Sequence, residues 1–177
     1  MMRITRYLAA SLALVALVLV SPPTAPRLNA QSVLTGYLSD NLTLTKIADH
    51  TTAGTSDVTS ASVDMSGYTN VLFLTSFGTA ATNNDCHVEQ SSDDGSVDTF
   101  ADLTGTDTTA GSSDEDVFID VRNPRERYVR LICERGTSST LESIWAFKYG
   151  ARSLPVDNTT TGTIAGEQHN SPAEGTK

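Results

Sequence analysis

Three histidines, two cysteines and 21 carboxylates are the side chains through which this chain can act chemically. Cys86 and Cys133 are too few for a Cys₄ or Cys₂His₂ metal centre. His50, His87 and His169 stand far apart, and no two share a spacing that makes a metal pair on one strand or helix. No Gly-x-Ser-x-Gly elbow is present, so a serine hydrolase has no recognisable nucleophile turn. Acidic groups such as Asp93-Asp94 and Asp114-Glu115-Asp116 fall in polar stretches, which lack the burial that tunes a catalytic carboxylate. These absences predict a protein that is not an enzyme. The same acidic stretches offer oxygen ligands for calcium, although Asp93-Asp94-Gly95-Ser96-Val97-Asp98 lacks the alternating ligand order of an EF-hand loop. Calcium is therefore the single cofactor that the residues leave open. Tyr68 and Trp145 are the candidate sugar platforms, and Trp145, inside an apolar run, reads first as core. Asn41-Leu42-Thr43 and Asn158-Thr159-Thr160 match the acceptor pattern for N-glycosylation.

The elements that must position these groups are strands. The chain has 177 residues, enough for one domain, with 38% hydrophobic content. Twelve basic residues against 21 acidic ones give a formal charge of −9, which provides no basic surplus for phosphate backbones and argues against nucleic acid. Beyond residue 30 no helix-period pattern of useful length survives. Short alternating or apolar runs recur between Gly, Ser, Asp and Asn clusters, and they predict strands at Leu42–Ala48, Val58–Met65, Asn70–Phe77, Asp85–Ser91, Thr99–Leu103, Asp116–Val121, Tyr128–Glu134 and Leu141–Tyr149. So many short strands must stack or close to bury one face, which gives an all-β fold, an antiparallel β-sandwich or jelly roll, with a barrel as the alternative.

Alternation assigns faces. Val129, Leu131 and Cys133 share one face, as do Cys86 and Val88. The two cysteines thus both face inward, either as a disulfide or as buried thiols. Val71-Leu72-Phe73-Leu74 is apolar on both faces and marks a central strand, with Ile144-Trp145-Ala146-Phe147 a second candidate. The polar stretch Gly105–Asp114 reads as a long exposed connection.

Three regions follow: a hydrophobic segment at 1–30, a β-domain at 31–155 and a flexible tail at 156–177. Arg3 and Arg6 precede an uncharged run from Tyr7 to Val20, followed by Pro22, Pro23 and Pro26. This is the order of a secretory signal peptide, with cleavage expected near Ala30. An uncleaved anchor, a core helix or a start placed too far upstream are the alternatives. Cleavage would remove Arg3, Arg6 and Arg27 and no acidic residue, moving the charge from −9 to −12. Any membrane contact is expected through this segment alone, and only if it stays uncleaved. The tail, poor in apolar residues, is expected to be disordered by itself, or ordered against a neighbouring subunit.

The pattern Ser62-Val63-Asp64-Met65-Ser66-Gly67-Tyr68, Val71–Leu74 and Phe77-Gly78, then Phe100–Thr106, Phe118–Val121, Pro124, Arg127–Arg130, Arg135-Gly136-Thr137, Tyr149–Arg152 and Pro155-Val156 resembles small structural proteins of tailed bacteriophages. The resemblance covers roughly residues 43–156 and lies in core strands and turns. It implies a virion component, a capsid decoration or head–tail accessory protein, contacting copies of itself or a capsid or tail protein. Arg127, Arg130 and Arg135 are then candidate interface anchors, the alternative being cross-strand ion pairs with groups such as Asp120 or Glu134. The export-like N-terminus departs from that pattern. It supports the other expectation, a secreted or periplasmic β-sandwich that binds a glycan, calcium or a protein.

Overall fold

The computed structural model describes residues 36–78, 83–136, 138–158, 164–171 and 173–175. The hydrophobic segment 1–30 lies outside the described residues. Among those described, the strands are β1 (Leu42–Ala48), β2 (Thr51–Gly54), β3 (Val58–Thr59), β4 (Val63–Asp64), β5 (Asn70–Phe77), β6 (Asn84–Ser91), β7 (Ala101–Asp102), β8 (Thr108–Ala110), β9 (Glu115–Arg122), β10 (Tyr128–Glu134), β11 (Ser139–Leu141) and β12 (Ile144–Tyr149), with one 3₁₀ turn at Leu38–Asp40. No helix among the described residues is long and apolar enough to cross a membrane. The domain is all-β, and every strand pairing in it is antiparallel.

Four strands form one sheet in the order β1-β12-β5-β9. A six-stranded sheet runs β3-β10-β6-β7, with β4 also on β10 and β8 also on β6, and β11 pairs β2 in a small third sheet. Period-two alternation explains what each strand buries. Val71, Phe73 and Phe77 of β5 alternate with Leu72 and Leu74, and Val117, Ile119 and Val121 of β9 alternate with Phe118 and Asp120. These join Ile144 and Ala146 of β12, Cys86 and Val88 of β6, and Val129, Leu131 and Cys133 of β10 in one core cluster. Each large apolar side chain so buried contributes about 1.5–3 kcal/mol.

β1, β5 and β10 occupy the expected spans. Two expected strands are each divided, and both breaks have a visible cause. In Val58–Met65 the Ser60 N–H donates to the Leu131 carbonyl, while the Ser60 hydroxyl accepts from the Leu131 amide in place of a backbone carbonyl. The next amide, Ala61, donates to Ile47 of β1, so the chain leaves the ladder until Val63. In Leu141–Tyr149 the break falls at Glu142, whose N–H donates to Ser76 and whose carbonyl accepts from the Thr75 hydroxyl.

One further expectation is corrected. The stretch Gly105–Asp114 is not wholly an exposed connection, because Thr108–Ala110 pairs with Asn84–Cys86 and Ala110 is fully buried. Where it is described, the tail makes contacts with the domain. Asn158 donates through Nδ2 to the Ser39 and Leu42 carbonyls and accepts from the Leu44 N–H, and Gln168 Nε2 donates to Ser39 Oγ and Asp40 Oδ1. A side-chain amide that takes up open-edge backbone groups of β1 holds the tail there.

Candidate functional site

The outer face of the four-stranded sheet follows from strand register. Leu44, Phe147, Leu72 and Asp120 form one cross-strand row, and Lys46, Trp145, Leu74 and Phe118 form the next. Seven of these residues alternate with core residues and so point away from the core, and most are apolar. Phe118 is 65% exposed and Leu74 36%. Trp145 is half-buried on this face and does not belong to the core cluster, which corrects the expectation that placed it inside. Tyr149 closes a third row with Leu42, Asn70 and Arg122, and its hydroxyl donates to Asp120 Oδ1 at 2.7 Å. Desolvation, and then this bond, push the Tyr149 phenol up to about 12. At the β1 edge, Leu42, Leu44 and Phe147 continue into a groove of about 380 Å³ whose far wall is Glu167, Gln168 and His169 of the tail.

The three arginines expected at an interface have different environments. Arg127 makes a bidentate pair with Asp64, Nε at 2.9 Å from Oδ1 and Nη2 at 2.6 Å from Oδ2, and holds the Asp64 carboxyl below the usual carboxylate range. It also lines a polar groove with Arg125 and Arg152. Arg130 donates from Nε to Glu89 at 2.5 Å and stacks over the Phe100 ring at 4.1 Å. The partners are thus Asp64 and Glu89, where Asp120 and Glu134 were expected. Arg135 is not a surface anchor. It is 7% exposed, and its guanidinium donates to the carbonyls of Ser56, Thr52 and Ser139. The Gly-containing turn after β10 carries it under the β2–β11 ribbon, where a Cβ on Gly54 would lie 3.1 Å from its Nη2.

Cys86 and Cys133 are direct partners in the β6–β10 register and form a disulfide, with Cα atoms 4.1 Å apart and both side chains fully buried. On the opposite face of these two strands lie Asp85, His87, Glu89, Arg130 and Glu134. His87 Nε2 is 3.4 Å from Asp102 Oδ1. Either Asp85 with Glu134, or Glu89 with Asp102, comes within metal-ligand range of this imidazole. Strand alternation makes His87, Asp85 and Glu89 visible as one face in the sequence. Glu134 and Asp102 join them only through cross-strand register.

The acidic loop expected as a calcium candidate spends its carboxylates on itself. Asp93 accepts from the N–H groups of Gly95, Val97 and Asp98, and Asp98 accepts from the Ser92 N–H and hydroxyl. Desolvation pushes the Asp93 carboxyl up, but those donors outweigh it and hold it below its ordinary value. His50 meets Glu142 at 3.3 Å and His169 meets Glu167 at 2.8 Å, both pairs substantially exposed. Tyr68 bonds Thr43 through its hydroxyl and carries Lys148 Nζ over its ring at 4.4 Å, so its hydroxyl and its ring each have a partner within the domain. Asn158, expected as a glycosylation acceptor, has its amide nitrogen committed to two carbonyls.

No protein-family model matches this chain, and no curated protein matches its sequence.

Proposed function

We propose that this chain is a non-enzymatic structural protein that works by protein–protein contact, as a capsid decoration or head–tail accessory protein of a tailed bacteriophage. The observation that carries the reading is the outer face of the β1-β12-β5-β9 sheet, where Leu72, Leu74, Phe118, Trp145 and Phe147 sit together on paired strands. Phe118 and Leu74 are exposed and the other three half-buried, and a contiguous apolar face left partly open to solvent supports an interaction site. The segments that resemble the phage proteins supply the frame: Val71–Leu74 is in β5, Phe118–Val121 in β9 and Arg127–Arg130 leads into β10. In this reading the two larger sheets pack face to face as an antiparallel, jelly-roll-like sandwich around the shared core, and the apolar outer face meets a further copy or a capsid or tail protein.

The test is co-sedimentation of the native protein with phage particles, alongside its oligomeric state in solution. Phe118→Asp should abolish association while leaving thermal stability nearly unchanged, since that side chain is 65% exposed, and Leu74→Asp should abolish it at some cost in stability, since most of Leu74 is covered. A monomer that never co-purifies with particles and accumulates in the periplasm refutes the reading.

A second reading is favoured by the Cys86–Cys133 disulfide, since such bonds persist in oxidising compartments. In it the chain is exported, cleaved near Ala30, and presents the same aromatic face to a glycan or protein ligand. Intact-mass analysis of the native protein separates the two: a chain beginning at Gln31 outside the cytoplasm supports export, and an uncleaved or internally started chain inside particles supports the virion role.

A further inference from the structure

Asp85 and Glu134 are direct partners across the β6–β10 ladder. Like charges at a directly opposed position destabilise a sheet, and a cation bound between them would relieve that repulsion. Among the described residues no lysine or arginine lies within ion-pair distance of either carboxylate. Two residues along β6 from Asp85, and therefore on the same face, stands His87, its side chain only 13% exposed. One ligand atom from each of Asp85, His87 and Glu134 lies within 4.8 Å of the other two. Bond lengths of about 2.0–2.2 Å to a common centre would require the side chains to close up from that separation.

We propose that Asp85, His87 and Glu134 form a binding site for a divalent transition-metal ion of the zinc type. The donor set selects the class: an imidazole nitrogen with two carboxylates suits zinc, cobalt or nickel, whereas calcium and magnesium take all-oxygen shells. Three protein ligands leave the remaining coordination to water. Asp102 Oδ1 lies 3.4 Å from Nε2, so a metal held by this trio would take Nδ1 and leave Nε2 to Asp102, the role an outer carboxylate plays for a metal-bound histidine. The alternative trio of His87, Glu89 and Asp102 is weaker, because Glu89 is already neutralised by Arg130. The ligands are also held in register: Cys86 sits between Asp85 and His87, Cys133 precedes Glu134, and the disulfide joins them on the buried face. The site does not depend on the sheet-face assembly proposed above.

The experiment uses the full chain after chelator treatment, titrated with Co²⁺ by visible absorption and with Zn²⁺ by calorimetry. One equivalent per chain is expected, with Zn²⁺ displacing Co²⁺ and Ca²⁺ failing to. His87→Ala should abolish saturable binding. Glu134→Gln, at an exposed side chain, should weaken it at least tenfold with an unchanged circular dichroism spectrum, and Asp102→Asn should weaken it about tenfold. His50→Ala and His169→Ala should leave it intact. Absence of saturable Co²⁺ binding at millimolar metal overturns the proposal. So does binding that survives Glu134→Gln unweakened, or that is lost with His50 or His169 instead.

Discussion

Arg135→Met keeps an aliphatic stem of similar length and removes the guanidinium, which donates from Nε to the Ser56 carbonyl at 2.6 Å and from Nη1 to those of Thr52 at 2.7 Å and Ser139 at 3.0 Å. Among the described residues no carboxylate pairs with this cation, so three carbonyls carry its compensation. Hydrogen bonds from a charged donor contribute about 1.5–3 kcal/mol each, and an acceptor left buried without a partner costs about 1–3 kcal/mol. Two of the three bonds are part-buried, so water recovers some of their acceptors, and relief from burying a charge offsets a further part. The net loss expected is about 3 kcal/mol, seen as a fall in melting temperature of roughly 6–12 °C for a domain of this size. Urea unfolding should show an earlier midpoint with the same slope. Gly54→Ala should act in the same direction by crowding Nη2. A loss below about 1 kcal/mol would refute the structural role, because the three bonds would then do no more than offset the burial of the charge. Particle association lost with stability intact would return Arg135 to an interface.

Other outcomes follow from the same geometry. Replacing Cys86 and Cys133 together by serine opens a loop spanning a sequence separation of 47, and should cost about 4 kcal/mol in denaturant unfolding on the chain-entropy account. Asp64 is held below its ordinary range first by its hydrogen bond from Arg127, so its contribution to stability is present above about pH 4 and lost as pH falls through the folded value. Arg127→Gln should flatten that acid limb of the stability–pH curve. Tyr149, raised by desolvation and by its bond to Asp120, should ionise near pH 12 in an ultraviolet titration, and Asp120→Asn should bring it back towards the free tyrosine value.

The spans of β1, β5 and β10 were legible to the residue, and β5 shows the reason most clearly, since its burial alternates with a period of two; the same period along β6 and β10 placed both cysteines inside. β2 and β8 escaped that logic. Thr51–Gly54 buries almost nothing, and in Thr108–Ala110 a single small alanine fills the core position, so neither presents an apolar signal. The outer apolar face was half legible. Leu72 and Leu74 were seen as apolar on both sides of a central strand, yet the exposure of Trp145 depends on β12 pairing with β5 and β1, which no local spacing reveals. Arg135 shows the same limit from the other side. As a charged residue after a strand it reads as surface, and only the approach of Thr52 and Ser56 from a distant part of the chain, together with nearby Ser139, puts it under cover. Glu134 and Asp102 reach His87 through register alone.

The pairing of the first long strand with the last has a mechanical consequence. Leu42 is opposite Tyr149, so the chain enters β1 and leaves β12 at the same end of the sheet. Tension applied through the flanking chain peels these strands apart one rung at a time, a geometry that yields at low force, whereas opposed pulls along the strands would load all the rungs at once. Once β1 and β12 have parted, the pull that reaches Cys86 crosses the sulfur bridge to Cys133 and bypasses the chain between them. Stretched from its two ends, the domain opens early and stops short, with the β6–β10 pair still closed as a template on which the rest can re-form.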